Sequence, residues 1–149
     1  MDCFVFDIDG TCADLTHRLK HIQKRPKDWD AFFAAAKDDK PSPHMQRLAY
    51  ALHCGLSAYQ TIVYCSGRPE RTRDATVKWL CDHDFPYYAH LFMRKDGDRR
   101  NDSIIKRELL DDMRLEGLRP IMAFDDRDRV VEMWRNAGVP CAQVAKGDF

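Results

Sequence analysis

Two aspartates one residue apart, Asp7 and Asp9, stand directly after the apolar run Cys3-Phe4-Val5-Phe6 and before Gly10-Thr11. Such a run places charge at the C-terminal tip of a buried strand, where ligands sit in open α/β sheets. Carboxylates that close repel each other unless a cation or a proton lies between them, so the pattern calls for Mg²⁺. Gly10 gives the turn its backbone freedom and Thr11 adds a hydroxyl. Two further apolar runs end in comparable chemistry: Ile121-Met122-Ala123-Phe124 runs into Asp125-Asp126-Arg127, and Thr61-Ile62-Val63-Tyr64-Cys65 into Ser66-Gly67-Arg68. If the three runs are neighbours in one parallel sheet, their tips converge on a single site.

Continuous apolar runs of this length are what strands buried on both faces look like. Further strands are expected at Leu91-Phe92-Met93 and Cys141-Ala142-Gln143-Val144. Helical spacing falls between the strands, at Met45, Leu48, Ala49 and Leu52 and at Val130, Met133, Trp134 and Ala137. Gly55 and Gly138 are expected to stop these two helices. Pro69 is expected to open a helix carrying Val77, Leu80 and Cys81, and Asn101 or Asp102 to cap one carrying Ile105, Leu109 and Met113. The alternation predicts an α/β fold, a Rossmann-like parallel sheet wrapped by helices. A helical insertion at about residues 15–43 interrupts it, with Trp29, Phe32, Phe33 and Ala36 at helical spacing. The three aromatic rings are read by default as core, and Arg18, Lys20, Lys24 and Arg25 as a solvated helix face.

The 149 residues suit one domain, and 24 basic against 24 acidic residues leave a formal net charge of zero. No global basic field attracts polyanions, so any such site must be a local patch. No stretch is apolar enough to span a membrane, and no signal peptide is visible. The six cysteines lack metal-binding spacing and three lie in or beside strands, which fits a reduced, cytoplasmic protein.

Taken in order, Asp7-Ile8-Asp9-Gly10-Thr11, Ser66, Lys106 and Asp125-Asp126 resemble the four motifs of the haloacid dehalogenase superfamily. The segments Ser66-Gly67-Arg68, Arg94 to Asp102 with Lys106, Asp125-Asp126-Arg127, Val130 to Arg135 and Gln143 to Phe149 are similar to the 3′-phosphatase domain of bacteriophage polynucleotide kinase-phosphatase. The resemblance covers most of the chain outside the insertion, where Arg18 alone matches. It departs in lacking a Gly-x-x-x-x-Gly-Lys-Ser/Thr loop, so no ATP-binding kinase half is present. A stand-alone phosphatase or a fragment is expected, and Met1 just before the first strand favours a genuine start.

The resemblance implies removal of 3′-terminal phosphate from DNA or RNA ends, with a separate kinase or ligase as partner. Asp7 would be the nucleophile, forming an aspartyl-phosphate. Asp9 would protonate the leaving oxygen and then deprotonate water, which requires that it carry a proton part of the time. Mg²⁺ would be held by Asp7, the Asp9 carbonyl and one of Asp125 and Asp126, with Asp126 favoured. Ser66 and Lys106 would face the phosphoryl oxygens. Arg18, Arg68 and Arg94 would bind substrate, with Asp102 orienting Lys106 or an arginine. Arg71, Arg73, Arg94, Lys95, Arg99 and Arg100 could form a basic rim for a polynucleotide backbone. Two other readings stay open: a nucleotide or small-metabolite phosphatase of the same fold, and a non-catalytic module that binds nucleic-acid ends.

Overall fold

A computed structural model describes residues 1–88 and 90–147. Along the chain come β1 (Asp2–Phe6), β2 (Ala13–Asp14), α1 (Lys20–Gln23), α2 (Trp29–Ala34), β3 (Lys40–Pro41) and α3 (Pro43–Gly55). There follow β4 (Gln60–Pro69), α4 (Arg73–Asp82), β5 (Leu91–Arg94), α5 (Asp102–Leu115), β6 (Arg119–Asp125), α6 (Asp128–Asn136) and β7 (Cys141–Gln143). Five strands form a parallel sheet in the order β5-β4-β1-β6-β7. The expected α/β architecture is therefore present, with β1 at its centre. The register sets Phe6 beside Tyr64 on one side and Phe124 on the other, so Asp7, Ser66 and Asp125 leave the same edge of the sheet.

Alternation along β1 divides the core between the two faces of the sheet. Val5 joins Val63, Ala123, Leu110, Met113, Val131 and Trp134 beneath α5 and α6. Phe6 joins Ile62, Tyr64, Phe124, Met45, Ala49, Trp79 and Leu80 beneath α3 and α4. Each large apolar side chain buried in this way contributes on the order of 1.5–3 kcal/mol. Double-sided burial is the reason the strands read as unbroken apolar runs.

Helix α5 buries Ile105, Leu109, Leu110 and Met113, and Lys106 lies on the same buried face. The hydrophobic stripe that docks the helix thus carries an ammonium inward with it.

The insertion rises from a two-strand clasp in which Ala13 pairs with Pro41 and Asp14 with Lys40, antiparallel. Both ends of residues 15–39 consequently leave the sheet side by side. Asp28 caps α2, its carboxylate accepting from the Ala31 amide at 2.9 Å.

Several local expectations are corrected. Pro69 ends β4 opposite Arg94, beyond a register shift after Ser66, and what it opens is a short 3-10 turn at Glu70–Thr72, with α4 beginning only at Arg73. A residue without an N–H is tolerated where the ladder is already interrupted. Gly55 is the last helical residue of α3 rather than the stop beyond it, whereas Gly138 has the left-handed φ of +81° expected of a helix-ending glycine. Asn101 occupies the cap position of α5 without a side-chain bond, and the Asp102 carboxylate faces arginines instead. Arg18 is fully buried and not part of a solvated face, because two carboxylates claim it. Of the three aromatics in α2, Phe32 is core, but Trp29 is 45% exposed. No helix among the described residues is long and apolar enough to cross a membrane.

Candidate active site

At the tips of β1 and β6 the carboxylates of Asp7, Asp125 and Asp126 are all buried, with ligand-capable oxygens within 4.8 Å of one another. Lys106 donates into this group, to Asp7 Oδ1 at 2.5 Å and to Asp125 Oδ2 at 2.7 Å. Burial alone would lower the lysine pKa, but Asp125 and Asp7 outweigh it and raise the pKa well above the ordinary value. Asp125 is further engaged by the Trp134 indole N–H at 3.4 Å and the Arg127 amide at 3.3 Å.

Asp126 faces Gly10, where a Cβ would collide with its carboxylate. Gly10 has φ +88°, so both the turn and the close approach require glycine. Burial pushes the Asp7 carboxyl well above the usual range, with Asp125 and Asp126 adding to the effect against the pull of Lys106. Asp126 is raised to about 6, chiefly by burial and then by Asp125. Three carboxylates facing one ammonium leave a surplus of two negative charges when all are ionised. This all-oxygen donor set and that surplus fit a hard divalent cation.

A second group of charges surrounds Asp9, whose side chain turns away from the acidic pocket. Asp9 Oδ1 accepts from Arg18 Nη2 at 2.5 Å and from Arg68 Nε and Nη2 at 3.0 and 2.6 Å. Both guanidiniums also bond Asp39, Arg18 through Nε and Nη2 at 2.8 and 2.6 Å and Arg68 through Nη2 at 3.2 Å. His17 adds a bond to Asp39 at 2.7 Å, and the Asp39 carbonyl accepts the Trp79 indole N–H at 2.9 Å. Two guanidiniums against two carboxylates leave this knot balanced in charge. Burial works to raise the Asp9 carboxyl, but Arg68 and Arg18 overcome it and hold its pKa at about 2. This arrangement of partners favours the ionised form of Asp9.

A third arginine lies beside the first two groups. Arg94 donates to the carbonyls of Gly67 at 2.8 Å, Asp98 at 3.0 Å and Arg100 at 2.7 Å, and to the Asp102 carboxylate. Asp102 Oδ2 accepts from Arg127 Nη1 at 2.5 Å. Of the two expectations for Asp102, orienting an arginine is the one its contacts match, and it holds two. Ser66, fully buried, accepts the Arg68 amide on Oγ at 3.2 Å. In the expected rim, Arg100 is held by Asp98 and Glu108, Arg71 by Asp30 and Asp96, and Arg73 by Glu70. Lys95 and Arg99 are exposed and form no ion pair among the described residues.

One contributor escapes a reading of the sequence, and a second is marked there only as part of the resemblance. Asp39 lies in the run Lys37-Asp38-Asp39-Lys40, which resembles any solvated loop, and nothing local marks its burial. The segment after β7 also folds onto the acidic tip. Gln143 Nε2 donates to the Asp126 carbonyl at 2.8 Å and Asp128 Oδ1 at 2.6 Å, and Val144 N to the Asp125 carbonyl at 3.0 Å. Gly147 packs so closely on the main chain of Asp126 and Arg127 that a Cβ would collide with it. The similarity noted for Asp148 and Phe149 lies outside the described residues.

The profile of a family described as polynucleotide kinase PNKP phosphatase domain matches residues 1–149. A protein of Autographa californica nuclear polyhedrosis virus, which carries the name bifunctional polynucleotide kinase/RNA ligase, is 30% identical over 135 residues. Those residues are 90% of this chain and 18% of the viral protein. A chain in the structure of a Pnkp1/Rnl/Hen1 complex aligns with a TM-score of 0.80 and 28% identity, over 99% of this chain and 46% of that one. The class C acid phosphatase of Bacillus anthracis shares the fold, with a TM-score of 0.64 and 16% identity over 97% of this chain and 68% of its own. The chain thus spans less than half the length of the viral relative and of the Pnkp1 complex chain.

Proposed function

The chain belongs to the family of polynucleotide kinase PNKP phosphatase domains and is a phosphatase of haloacid dehalogenase fold; from that premise we propose that it removes 3′-terminal phosphate from DNA or RNA ends with Mg²⁺ as cofactor. The observation that carries this reading is the pairing, on one sheet edge, of an acidic pocket in negative surplus with a guanidinium knot 2.5 Å from Asp9. The first suits a cation and the second an incoming phosphate dianion.

Asp7 is the nucleophile. Its carboxylate oxygen attacks phosphorus as the ester P–O bond breaks, and the leaving 3′-oxygen takes a proton from Asp9. In the second step Asp9 takes a proton from water as the water oxygen attacks phosphorus and the Asp7 Oδ–P bond breaks, which frees the Asp7 carboxylate and releases inorganic phosphate. Held in Asp7, the Asp9 carbonyl and Asp126, Mg²⁺ would offset the charge between nucleophile and phosphate. Lys106 steadies Asp7 and faces the phosphoryl oxygens, and Ser66 adds a hydroxyl.

Asp9 gains its proton because substrate displaces its partners. Arg18 and Arg68 swing a donor toward the phosphate, and the carboxylate that loses them rises from its depressed pKa. Burial, the opposing influence on Asp9, then dominates. Arg94 supports the same anion from the β5 side.

Residues 1–149 act as one phosphatase unit, with the insertion at about residues 15–43 as a small cap that leaves the site open. A kinase and a ligase in nucleic-acid repair are the fitting partners, since the relatives carry those names. Release of phosphate from a 3′-phosphorylated oligonucleotide, its 5′-phosphorylated isomer and free nucleotides tests the substrate class. Preference for the 3′-phosphorylated oligonucleotide is expected. Preference for free nucleotides would replace the reading with a small-molecule phosphatase.

A further inference from the structure

Helix α2 is anchored at the mouth of the site from two directions. On its inner side the Phe32 ring lies 4.4 Å from the Arg18 guanidinium carbon, and Arg18 reaches Asp9. Near its N-terminus, Asp30 accepts from Arg71 Nη2 at 2.8 Å. The Arg71 amide bonds Asp96 at 2.9 Å, and these two residues follow the ends of β4 and β5. The strand ends and Arg18 together hold α2 across the edge of the sheet from which Asp7 and Ser66 emerge.

The aromatic residues of this helix are not used alike. Phe32 is buried and packs edge-on to both neighbours, with centroids 5.7 Å from Trp29 and 5.3 Å from Phe33. Trp29 stands 45% exposed, stacked on Phe33 at 6.0 Å with 24° between the planes. Lys27 places its ammonium 5.5 Å from the Trp29 centroid. A large flat ring, stiffened by a second ring and accompanied by an exposed cation, has the composition of a surface that stacks a base beside a phosphate. Phe32 is the buried member of the three, whereas Trp29 keeps much of its surface in solvent.

We propose that Trp29, backed by Phe33, is a stacking platform for the nucleobase adjoining the scissile phosphate, with Lys27 available to the next backbone phosphate. This rests on the end-processing reading above and makes it more specific: the enzyme grips base and phosphate at once, without reading sequence. Stacking is tolerant of base identity because every base has a π face.

Of the three tryptophans, Trp79 and Trp134 are buried, which makes Trp29 the accessible reporter. In Asp7→Asn protein, titration with a 3′-phosphorylated oligonucleotide should quench the intrinsic fluorescence. The same oligonucleotide lacking its 3′-terminal base, but keeping the phosphate, should quench much less. In otherwise native enzyme, Trp29→Ala should raise KM for the base-bearing end about tenfold and leave the abasic end within about twofold. Trp29→Phe should restore most of the loss.

Equal losses on both ends, or no quenching by the base-bearing end, would overturn the platform and leave Trp29 as cap packing. Should the enzyme reject oligonucleotides but hydrolyse nucleoside monophosphates, the end-processing reading falls alone. The platform is then judged by the same variants on nucleoside monophosphates against sugar phosphates. Hydrolysis of neither nucleotide class would overturn both.

Discussion

Asp7 and Asp9 are two residues apart, yet the chain gives them opposite electrostatic surroundings. Asp7 sits in a pocket with Asp125 and Asp126 and a single ammonium, and its carboxyl is driven up by burial. Asp9 sits against two guanidiniums that hold its carboxyl at about 2 despite burial. The acidic pocket is incomplete by itself, because its charges balance only when a cation or protons enter. The arginine knot is complete, because Asp9 and Asp39 match Arg18 and Arg68. A pocket in deficit suits a cation, whereas a balanced knot is preassembled and, on the proposed reading, is opened by substrate.

The largest test of this contrast is Asp7→Asn, which keeps the shape and removes the proposed nucleophile. Turnover should fall by at least about a thousandfold while circular dichroism and Tm stay near wild type, because the amide also relieves crowding. Retention of a tenth of the activity would mean that the pocket is not the site of covalent chemistry.

Asp39→Asn attacks the other side. Removing one charge from the knot leaves Arg18 and Arg68 sharing Asp9, and breaking a buried pair from one side costs about 3–5 kcal/mol. We expect kcat to drop by about a hundredfold and Tm to fall, in contrast with Asp7→Asn. An unchanged Tm would show that the knot is not balanced as described.

The two regions also differ in their response to acid. Asp126 has a folded pKa of about 6, above its ordinary 3.8. In metal-free protein it therefore contributes stability that is full below pH about 4 and lost as pH rises through 6. Mg²⁺ competes with that proton, so the rise in Tm on adding Mg²⁺ should be full at pH 7.5 and at least halved at pH 5.5. Asp9 runs the other way: its contribution is present above pH about 4 and lost as pH falls through 2. EDTA should silence the enzyme reversibly. A Mg²⁺ effect on Tm independent of pH, or activity undiminished by EDTA, would remove the cation from the acidic pocket.

The smallest effect is expected at the rim. Arg100 is held by Asp98 and Glu108, whereas Arg99 forms no ion pair among the described residues. Arg99→Ser should raise KM for a 3′-phosphorylated oligonucleotide about two- to threefold and reduce its salt dependence, with Arg100→Ser weaker. Equal effects on a 3′-mononucleotide would place Arg99 in the phosphate site instead.

How much of this was legible in the sequence varies with the range of the interaction involved. Asp7, Ser66 and Asp125-Asp126 could be read because each terminates an apolar run, and such runs have one common solution as neighbours in a buried parallel sheet. Lys106 and Arg18 were legible through family resemblance alone, since a lysine on a helix and an arginine in a basic stretch look solvated. Asp39 was not legible at all, and Gly147 was marked only as part of the resembling segment, without its packing on the acidic tip. Their neighbours come from distant segments, and no periodicity marks a residue buried by a loop.

The sequence by itself determined where the carboxylates stand, because strand geometry is local and a run of apolar residues carries its end to the edge of the sheet. Only the tertiary structure decided what charge each one bears. That depends on burial and on the charges packed nearby, and here those charges include Lys106, 99 residues from Asp7 and outweighed there by burial, and Arg68, 59 residues from Asp9. The Coulomb interaction falls with distance in space and takes no account of separation along the chain, so identical aspartates two residues apart were assigned different work by their neighbours.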